Sequence, residues 1–408
     1  MKKNKICGIL NLTESKLAIN PLTYYRPVAG LPFACRYRLI DFPLTNMATA
    51  GVETIGIFAN ESVRSIYDHV RSGKEWGLDS INGGLFFFSS IMGDLRPGQL
   101  MKTGDIDNYF NNIEFIEKSG AEYVIVMGAR NLCNIDVQTV LRSHIEQGTA
   151  MTVVYKAVDH LSVADQDLSC LSIGEDGLVK GLKSCTLHRN NHKALINTEI
   201  YLMNSTLLAK MIRNAVAENE QCNLSDVLHQ AMIKLPTNGF EYTGYFKSIN
   251  SIKSYYDANI DMLKEANLTA LLKGSQIIRT KVKNEAPTYY SRTSDVRDSL
   301  VANGCLIKGT VDHSLVFRNV TIEKNAMVSS SIIMQGSYIG SGVELRYVIL
   351  DKQVKIEANT KLIGSKDKPI VIEKNSVISR ILEERKYSEE KMYEWKKETG
   401  RYKTTLLS

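Results

Sequence analysis

Residues 13–46 have the spacing of a phosphate-handling loop without the residue types such a loop uses. The stretch runs Thr13-Glu14-Ser15-Lys16-Leu17-Ala18, then Pro21-Leu22-Thr23, then Arg26-Pro27-Val28-Ala29, and ends Tyr37-Arg38-Leu39-Ile40-Asp41-Phe42-Pro43-Leu44-Thr45-Asn46. An apolar run, Ile6 to Leu10, precedes it and suits a buried first strand. Loops at the carboxyl ends of such strands are where α/β sheets bind nucleotides. A loop that cradles phosphate needs glycine, because only glycine lets several backbone N–H groups converge on one anion. None occurs between Gly8 and Gly30. The chain is built like an enzyme around a first loop poorly suited to the chemistry.

The elements that must position this loop alternate through the first 270 residues. Strands are expected at Ile55 to Ala59, Tyr123 to Met127, Met151 to Tyr155 and Leu195 to Leu202. Helices are expected at Ser62 to Val70, Tyr109 to Ser119, Val137 to Gln147, Leu224 to Ile233 and Ile252 to Leu263. Such alternation implies a mixed, mostly parallel sheet covered on both faces. Gly83-Gly84 and Pro97-Gly98 mark a long excursion between 71 and 104. Residues 271–294 read as a connector. Beyond them Val316, Ile322, Val328 and Met334 recur six apart, as do Ile333, Ile339 and Leu345, and Val348 and Val354. A six-residue period in short β-branched segments is the pattern of a parallel β-helix built from hexapeptide turns, expected over 295–380. The charged tail 381–408, with Trp395, suits a capping helix and frayed terminus.

Composition narrows the function. Apolar residues make up 44% and charged residues 23% of 408 residues, ordinary for a globular chain of two domains. The net charge of +6 carries no Lys/Arg block, so nucleic acid is not an expected partner. Seven cysteines without a CxxC pair point to reduced thiols in a cytoplasmic protein rather than a disulfide framework or a zinc site. Lys2, Lys3 and Lys5 precede an apolar stretch too short for a signal peptide, and no run approaches the ~20 apolar residues of a membrane span.

Several blocks resemble one family, the glucose-1-phosphate adenylyltransferases. Tyr37 to Asn46 is similar to that family's YRLIDFPLSN block, and Gly73 with Trp76-Gly77-Leu78-Asp79 to the segment after its second strand. Tyr245 to Ile252 with Tyr255-Tyr256-Asp257-Ala258-Asn259 resembles YWRDVGTI and YWEAN, and Ser299 to Ile307 the opening of its β-helix. The resemblance implies a Rossmann-like, GT-A-like nucleotidyltransferase domain, 1–270, followed by a left-handed β-helix. It also implies chemistry in which ATP and glucose 1-phosphate give ADP-glucose and pyrophosphate.

The departures from that pattern fall on its working residues. Aligned without gaps, the GGxGTRL glycines and arginine fall on Thr13, Glu14, Lys16 and Ala18, and RAKP falls on Arg26 to Ala29. Arg26 persists as a possible inherited phosphate contact, while the lysine becomes Val28. The metal-binding aspartate of the third strand is replaced by Arg130 if Asp136 is the anchor, or by Ala129 if Gly128 is. The second metal aspartate becomes Ser248. The sugar-side FxEKP keeps at most Lys183, and Glu199 stands in the glycine's place of SMGIY. Catalysis of such transfers is mostly positioning and charge stabilisation, with Mg²⁺ neutralising the charge that develops. One misplaced unit charge at about 4 Å is worth about 4 kcal/mol near a surface, and each ~1.4 kcal/mol is tenfold in rate.

These losses resemble the non-catalytic, GlgD-type regulatory subunits. The resemblance then implies a heterotetramer with a catalytic GlgC-type subunit, Mg²⁺ held only in that partner, no tightly bound cofactor here, and glycogen synthesis as the setting. Two other readings stay open: an active adenylyltransferase with a divergent loop, and a stand-alone sugar-phosphate sensor. Arg36, Arg38 and Arg346 are candidates for a phosphorylated effector bound between the domains, or ordinary surface ion pairs. Asp41 suits a fold role on nearby N–H groups. Asp105 and Asp107 could recruit metal or simply face water. Trp76 could line a sugar pocket or pack. His313 could act as a base, as in some hexapeptide acyltransferases, or sit at the surface.

Overall fold

The computed structural model describes residues 5–15, 17–59, 63–80, 83–89, 104–159, 168–185, 193–218 and 222–379. Lys16 and the tail 381–408 lie outside the described residues. The strands of the first domain are β1 (Ile6–Asn11), β2 (Thr54–Ala59), β3 (Gly84–Ser89), β4 (Tyr123–Met127), β5 (Met151–Val158), β6 (Ser169–Ile173), β7 (Val179–Ser184), β8 (Ala194–Asn204) and β9 (Thr237–Glu241). They form one sheet in the order β7-β6-β8-β4-β1-β2-β3, with β5 paired to β8 and β9 to β5. β4, β1, β2 and β3 are mutually parallel, while β8 runs antiparallel to β4, β5 and β6.

Alternation along each strand divides the core. Leu10, Ile57, Ile125 and Met127 pack on one face with Leu44, Met47, Trp76 and Val140. Ile9, Phe58, Val124 and Val126 pack on the other with Tyr109, Leu208, Ile212 and Leu224. The helices are α1 (Asp41–Thr49), α2 (Arg64–Val70), α3 (Ile106–Asn111), α4 (Glu114–Lys118), α5 (Val137–Gln147), α6 (Ser205–Ala217), α7 (Leu224–Lys234), α8 (Ile252–Ile260) and α9 (Glu265–Leu272). The single helix expected over Tyr109 to Ser119 is instead α3 and α4. The chain breaks at Asn112, whose side-chain amide turns back onto the Asn108 carbonyl at 2.8 Å. No described helix is long and apolar enough to cross a membrane.

The second domain is a left-handed parallel β-helix of three sheets with six, five and five strands. Ile307, Val316, Ile322, Val328, Ile333, Ile339, Leu345, Leu350, Ile356 and Leu362 fill its interior. Its corners need left-handed backbone, supplied by ladders such as Asn319, Gly336 and Gln353, and Asn325, Gly342 and Asn359. The expected series through Met334 needs correction. Equivalent positions lie 15 residues apart in an early coil (Leu306 and Thr321), 17 in the middle (Val316 and Ile333) and 22 at the end (Ile356 and Ile378), so a strict six-residue count slips and Ile333 points inward. Met334 faces outward and packs with the first domain. The first strand, Tyr289–Tyr290, lies inside the stretch expected as a connector, because it already pairs with Leu306–Ile307.

The two domains share a core. Leu315, Phe317, Ile332, Met334 and Ile349 pack against Phe33, Phe42, Tyr255, Tyr256 and Met262. Tyr256 Oη also donates to the Ser330 carbonyl at 2.7 Å. The expectation of reduced thiols throughout is corrected at one pair, since Cys170 and Cys185 form a disulfide. They can do so because β6 and β7 are hydrogen-bonded neighbours.

Candidate functional site

The cleft at the carboxyl ends of β1 and β4 is where the sequence departs most from a working enzyme. Asn11 ends β1, and its Oδ1 accepts both the Thr13 N–H at 3.2 Å and the Thr13 hydroxyl at 2.6 Å. Thr13 Oγ1 also meets Asp105 Oδ2. Asp105 is 1% exposed, and its other oxygen accepts the Leu224 N–H at 2.6 Å at the start of α7. The expectation that Asp105 faces water is therefore corrected: it ties the first loop to α7. Burial raises its carboxyl above the usual range, against the Thr13 and Leu224 hydrogen bonds.

Glu14 turns inward to β4. Its Oε1 accepts the Ala129 N–H at 3.0 Å. Gly128 leaves room for this contact, because a Cβ there would lie 2.9 Å from Glu14 Oε1. The carboxylate thus takes up the backbone donor just beyond the carboxyl end of β4. Burial raises its pKa, opposed by Ala129 and Arg130, while Glu199 adds to the rise.

Arg130 crosses to β8. Its Nε donates to Glu199 Oε2 at 3.0 Å, and Nη2 donates to Glu199 Oε1. Such a two-pronged guanidinium–carboxylate contact fixes orientation as well as charge. Burial would lower the Arg130 pKa, but the charge and hydrogen bonds of Glu199, with Glu14 behind them, outweigh it and raise it. Glu199 sits in a break of register between Asn197 and Ile200, with φ of +59°. That conformation favours glycine, which explains why a glycine suits this place. Here Asn197 Oδ1 holds the Glu199 N–H at 2.9 Å, and Asn131 Nδ2 holds the Thr198 carbonyl at 2.8 Å.

Ser248 lies beside this pair. The short strands Lys247–Ser248 and Asn131–Leu132 are antiparallel, with Ser248 opposite Asn131, and the Ile249 N–H donates to the Arg130 carbonyl at 2.9 Å. Ser248 Oγ and Asn131 Oδ1 are buried without a hydrogen-bond partner. The donors around this seat do not suit a divalent cation. Arg130 neutralises Glu199, Ala129 offers no side-chain oxygen, and among the described residues no three His, Cys, Asp or Glu side chains gather as a metal site.

The remaining residues scatter. Ala18 is exposed in a one-turn 3₁₀ segment, and Val28 is buried in the interdomain core. Lys183 is exposed on β7. Trp76 is 2% exposed and packs in the main core. Asp41 is buried, accepting the Arg38 N–H at 2.9 Å and meeting His69 Nε2 at 2.6 Å. Asp107 is half-buried on α3. His313 sits at a β-helix corner with φ of +46°, its Nδ1 2.5 Å from Asp298 Oδ2.

Arg26 lies at the domain seam, where Nη2 donates to both oxygens of Asp351 at 2.8 Å, with side chains 4% and 1% exposed. Around it gather Arg38, whose Nη1 donates to the Ser65 carbonyl at 2.6 Å, and Lys352. Lys352 is pushed down to about 7 by burial, then by the charges of Arg38 and Arg26. Arg36 is exposed, and its carbonyl accepts from Arg318 Nη2 of the β-helix at 3.5 Å. Arg346 is exposed on another face of the β-helix, over the Tyr347 ring. Sequence reasoning missed Asp351 and Lys352; an acidic residue directly after the buried run Val348 to Leu350 was the available signal.

Comparison with known proteins follows the same outline. The nucleotidyl transferase family matches residues 18–265, and the GlmU-like, C-terminal hexapeptide family matches 284–369. The glycogen biosynthesis protein GlgD of Bacillus subtilis (strain 168) is 31% identical over 382 residues, 94% of this chain and 99% of that protein. The chain belongs to the GlgD family of nucleotidyl transferases. A second GlgD, from Geobacillus stearothermophilus, is 34% identical over 379 residues, 93% of this chain and 99% of its own. Kinship extends to an enzyme: the glucose-1-phosphate adenylyltransferase of Bacillus mycoides (strain KBAB4) is 28% identical over 367 residues, 88% of this chain and 95% of that one. The GlgD relatives carry the name of glycogen biosynthesis proteins, so this chain is a relative of both the pathway proteins and the adenylyltransferases.

Proposed function

We propose that this chain is a catalytically impaired, regulatory subunit of glucose-1-phosphate adenylyltransferase in cytoplasmic glycogen synthesis, acting by assembly with a catalytic GlgC-type subunit. One observation carries the reading: the Arg130–Glu199 pair and the Glu14–Ala129 contact fill the cleft with the chain's own charges. A substrate would have to displace them, and no acidic pair would be left to seat Mg²⁺ beside its phosphates. The intact cores of both domains are what an assembling subunit needs. Regulation then follows from linkage, since a subunit that binds one conformer of its partner more tightly shifts the partner towards that conformer. The heterotetramer would hold its Mg²⁺ on carboxylates of the catalytic chains.

The seam between the domains suits the regulatory part of the role. Arg38, Lys352 and Arg26 form a cationic cluster, with Asp351 against Arg26 and Asp41 and Asp68 facing Arg38, and Arg26 Nη1 is buried without a partner. A phosphorylated small molecule is the ligand class such a cluster would accept. The test is reconstitution with an adenylyltransferase subunit from the same cell. Co-purification and a changed rate or effector response of that subunit support the proposal. Failure to associate, with the partner's kinetics unmoved, refutes it.

A further inference from the structure

Cys170 lies in β6 and Cys185 just beyond β7, at one edge of the sheet, and a disulfide joins them. Lys183 pairs directly with Cys170 across the hairpin, and Cys170 is in register with Ile196 of β8 on its other side. Cys185 is buried, and its N–H donates to the Leu168 carbonyl at 2.7 Å. Leu168, Ile196, Val158 and Phe246 surround the sulfurs in a small apolar cluster, and Phe246 also packs against the main core. Ile196 stands three residues before Glu199, and Phe246 two before Ser248. The disulfide therefore packs where the strand of Lys183, the bulged strand of Glu199 and the segment leading into the short strand of Ser248 meet.

We propose that Cys170 and Cys185 are a reversible redox site that clasps this hairpin to the rim of the cleft. A dithiol reductant supplies the electrons. Its thiolate attacks the half-buried Cys170 sulfur, the S–S bond breaks, and the Cys185 thiolate leaves and takes up a proton in its apolar surroundings. The second thiol of the reductant then displaces the Cys170 thiolate, which is protonated in turn, and the reductant departs as its own disulfide. A small-molecule disulfide acting as oxidant reverses the exchange. Selectivity has a structural basis. Cys7, Cys35, Cys133 and Cys305 are buried away from reagents, and burial pushes the thiols of Cys7 and Cys133 up to about 12.

The test uses the full chain alone, so its outcome is independent of the regulatory reading. The protein is treated with glutathione disulfide or with dithiothreitol, without denaturant, then alkylated, mapped by mass spectrometry and followed by hydrogen exchange. The expected result is a Cys170–Cys185 crosslink after oxidation and two additional alkylated sites after reduction. Exchange across 168–185 and 194–204 should rise on reduction by up to on the order of a hundredfold, the loop-closure contribution of a ring this size. The Cys170→Ser/Cys185→Ser variant should show the faster exchange under both treatments. Thiols that stay unlinked under oxidant, a bond that yields only once the chain is unfolded, or exchange that ignores the redox state would each overturn the proposal.

Discussion

Replacing Glu199 separates two effects that the structure superimposes at one residue. The side chain pairs with Arg130, with side chains 20% and 28% exposed, and the backbone holds φ of +59°. Removing one partner of a buried pair costs about 3–5 kcal/mol, and an exposed pair is worth about 0.2–1. This pair is intermediate, so Glu199→Ala should cost about 2 kcal/mol. Glu199→Gly loses the same pair but relieves a left-handed residue, a gain of about 1 kcal/mol. Glycine should therefore be the milder substitution. At about 2–4 °C per kcal/mol for a domain of this size, melting should fall by roughly 4–8 °C in the alanine variant and about half that in the glycine variant. Differential scanning calorimetry of both proteins, with Arg130→Ala and the double variant to complete a cycle, measures the coupling directly. Alanine proving equal to or milder than glycine, or a coupling near zero, would refute the reasoning.

Other expectations follow from the same geometry. Asp351→Ala strands the buried Arg26 guanidinium and should cost about 3–5 kcal/mol by thermal melting, whereas Arg26→Met with Asp351→Leu should lie close to wild type. Lys352, at about 7 in the fold, lies below its unfolded value near 10.4, so its burial penalty is full below pH 7 and is relieved as pH rises through that window. Lys352→Met should accordingly raise the melting temperature more at pH 6 than at pH 9; the opposite order would contradict the assigned shift. His313→Asn keeps a residue that tolerates the left-handed corner and removes only an exposed pair, so stability should change by less than about 0.5 kcal/mol and the reconstituted activity should be unchanged.

Much of the scaffold was readable because local signals agreed. Tyr123–Met127 and Val137–Gln147 match the structure end to end. The helix is bounded by Asp136, which accepts the Gln138 N–H at 2.9 Å, and by Gly148 at φ +59°. The β-helix period was legible, but its phase was not, since a coil of three unequal steps drifts from a strict six-residue count. At the site, the missing glycines and carboxylates were visible as types. Their replacements' partners were not, because Arg130 finds Glu199 only through a register break in β8, and Arg26 finds Asp351 only through the docking of two domains. An arginine in a carboxylate's place and a glutamate in a glycine's place were a paired signal of opposite sign. Asp105 gave no such sign: its burial depends on where α7 begins.

The most direct test of the central claim is ADP-glucose formation by the pure chain, with ATP, glucose 1-phosphate and Mg²⁺ at saturating levels. Self-filled charge positions and an absent cation seat predict turnover orders of magnitude below that of a competent adenylyltransferase subunit assayed beside it. Turnover within about tenfold of that subunit, less than about 1.4 kcal/mol of barrier apart, would contradict the account.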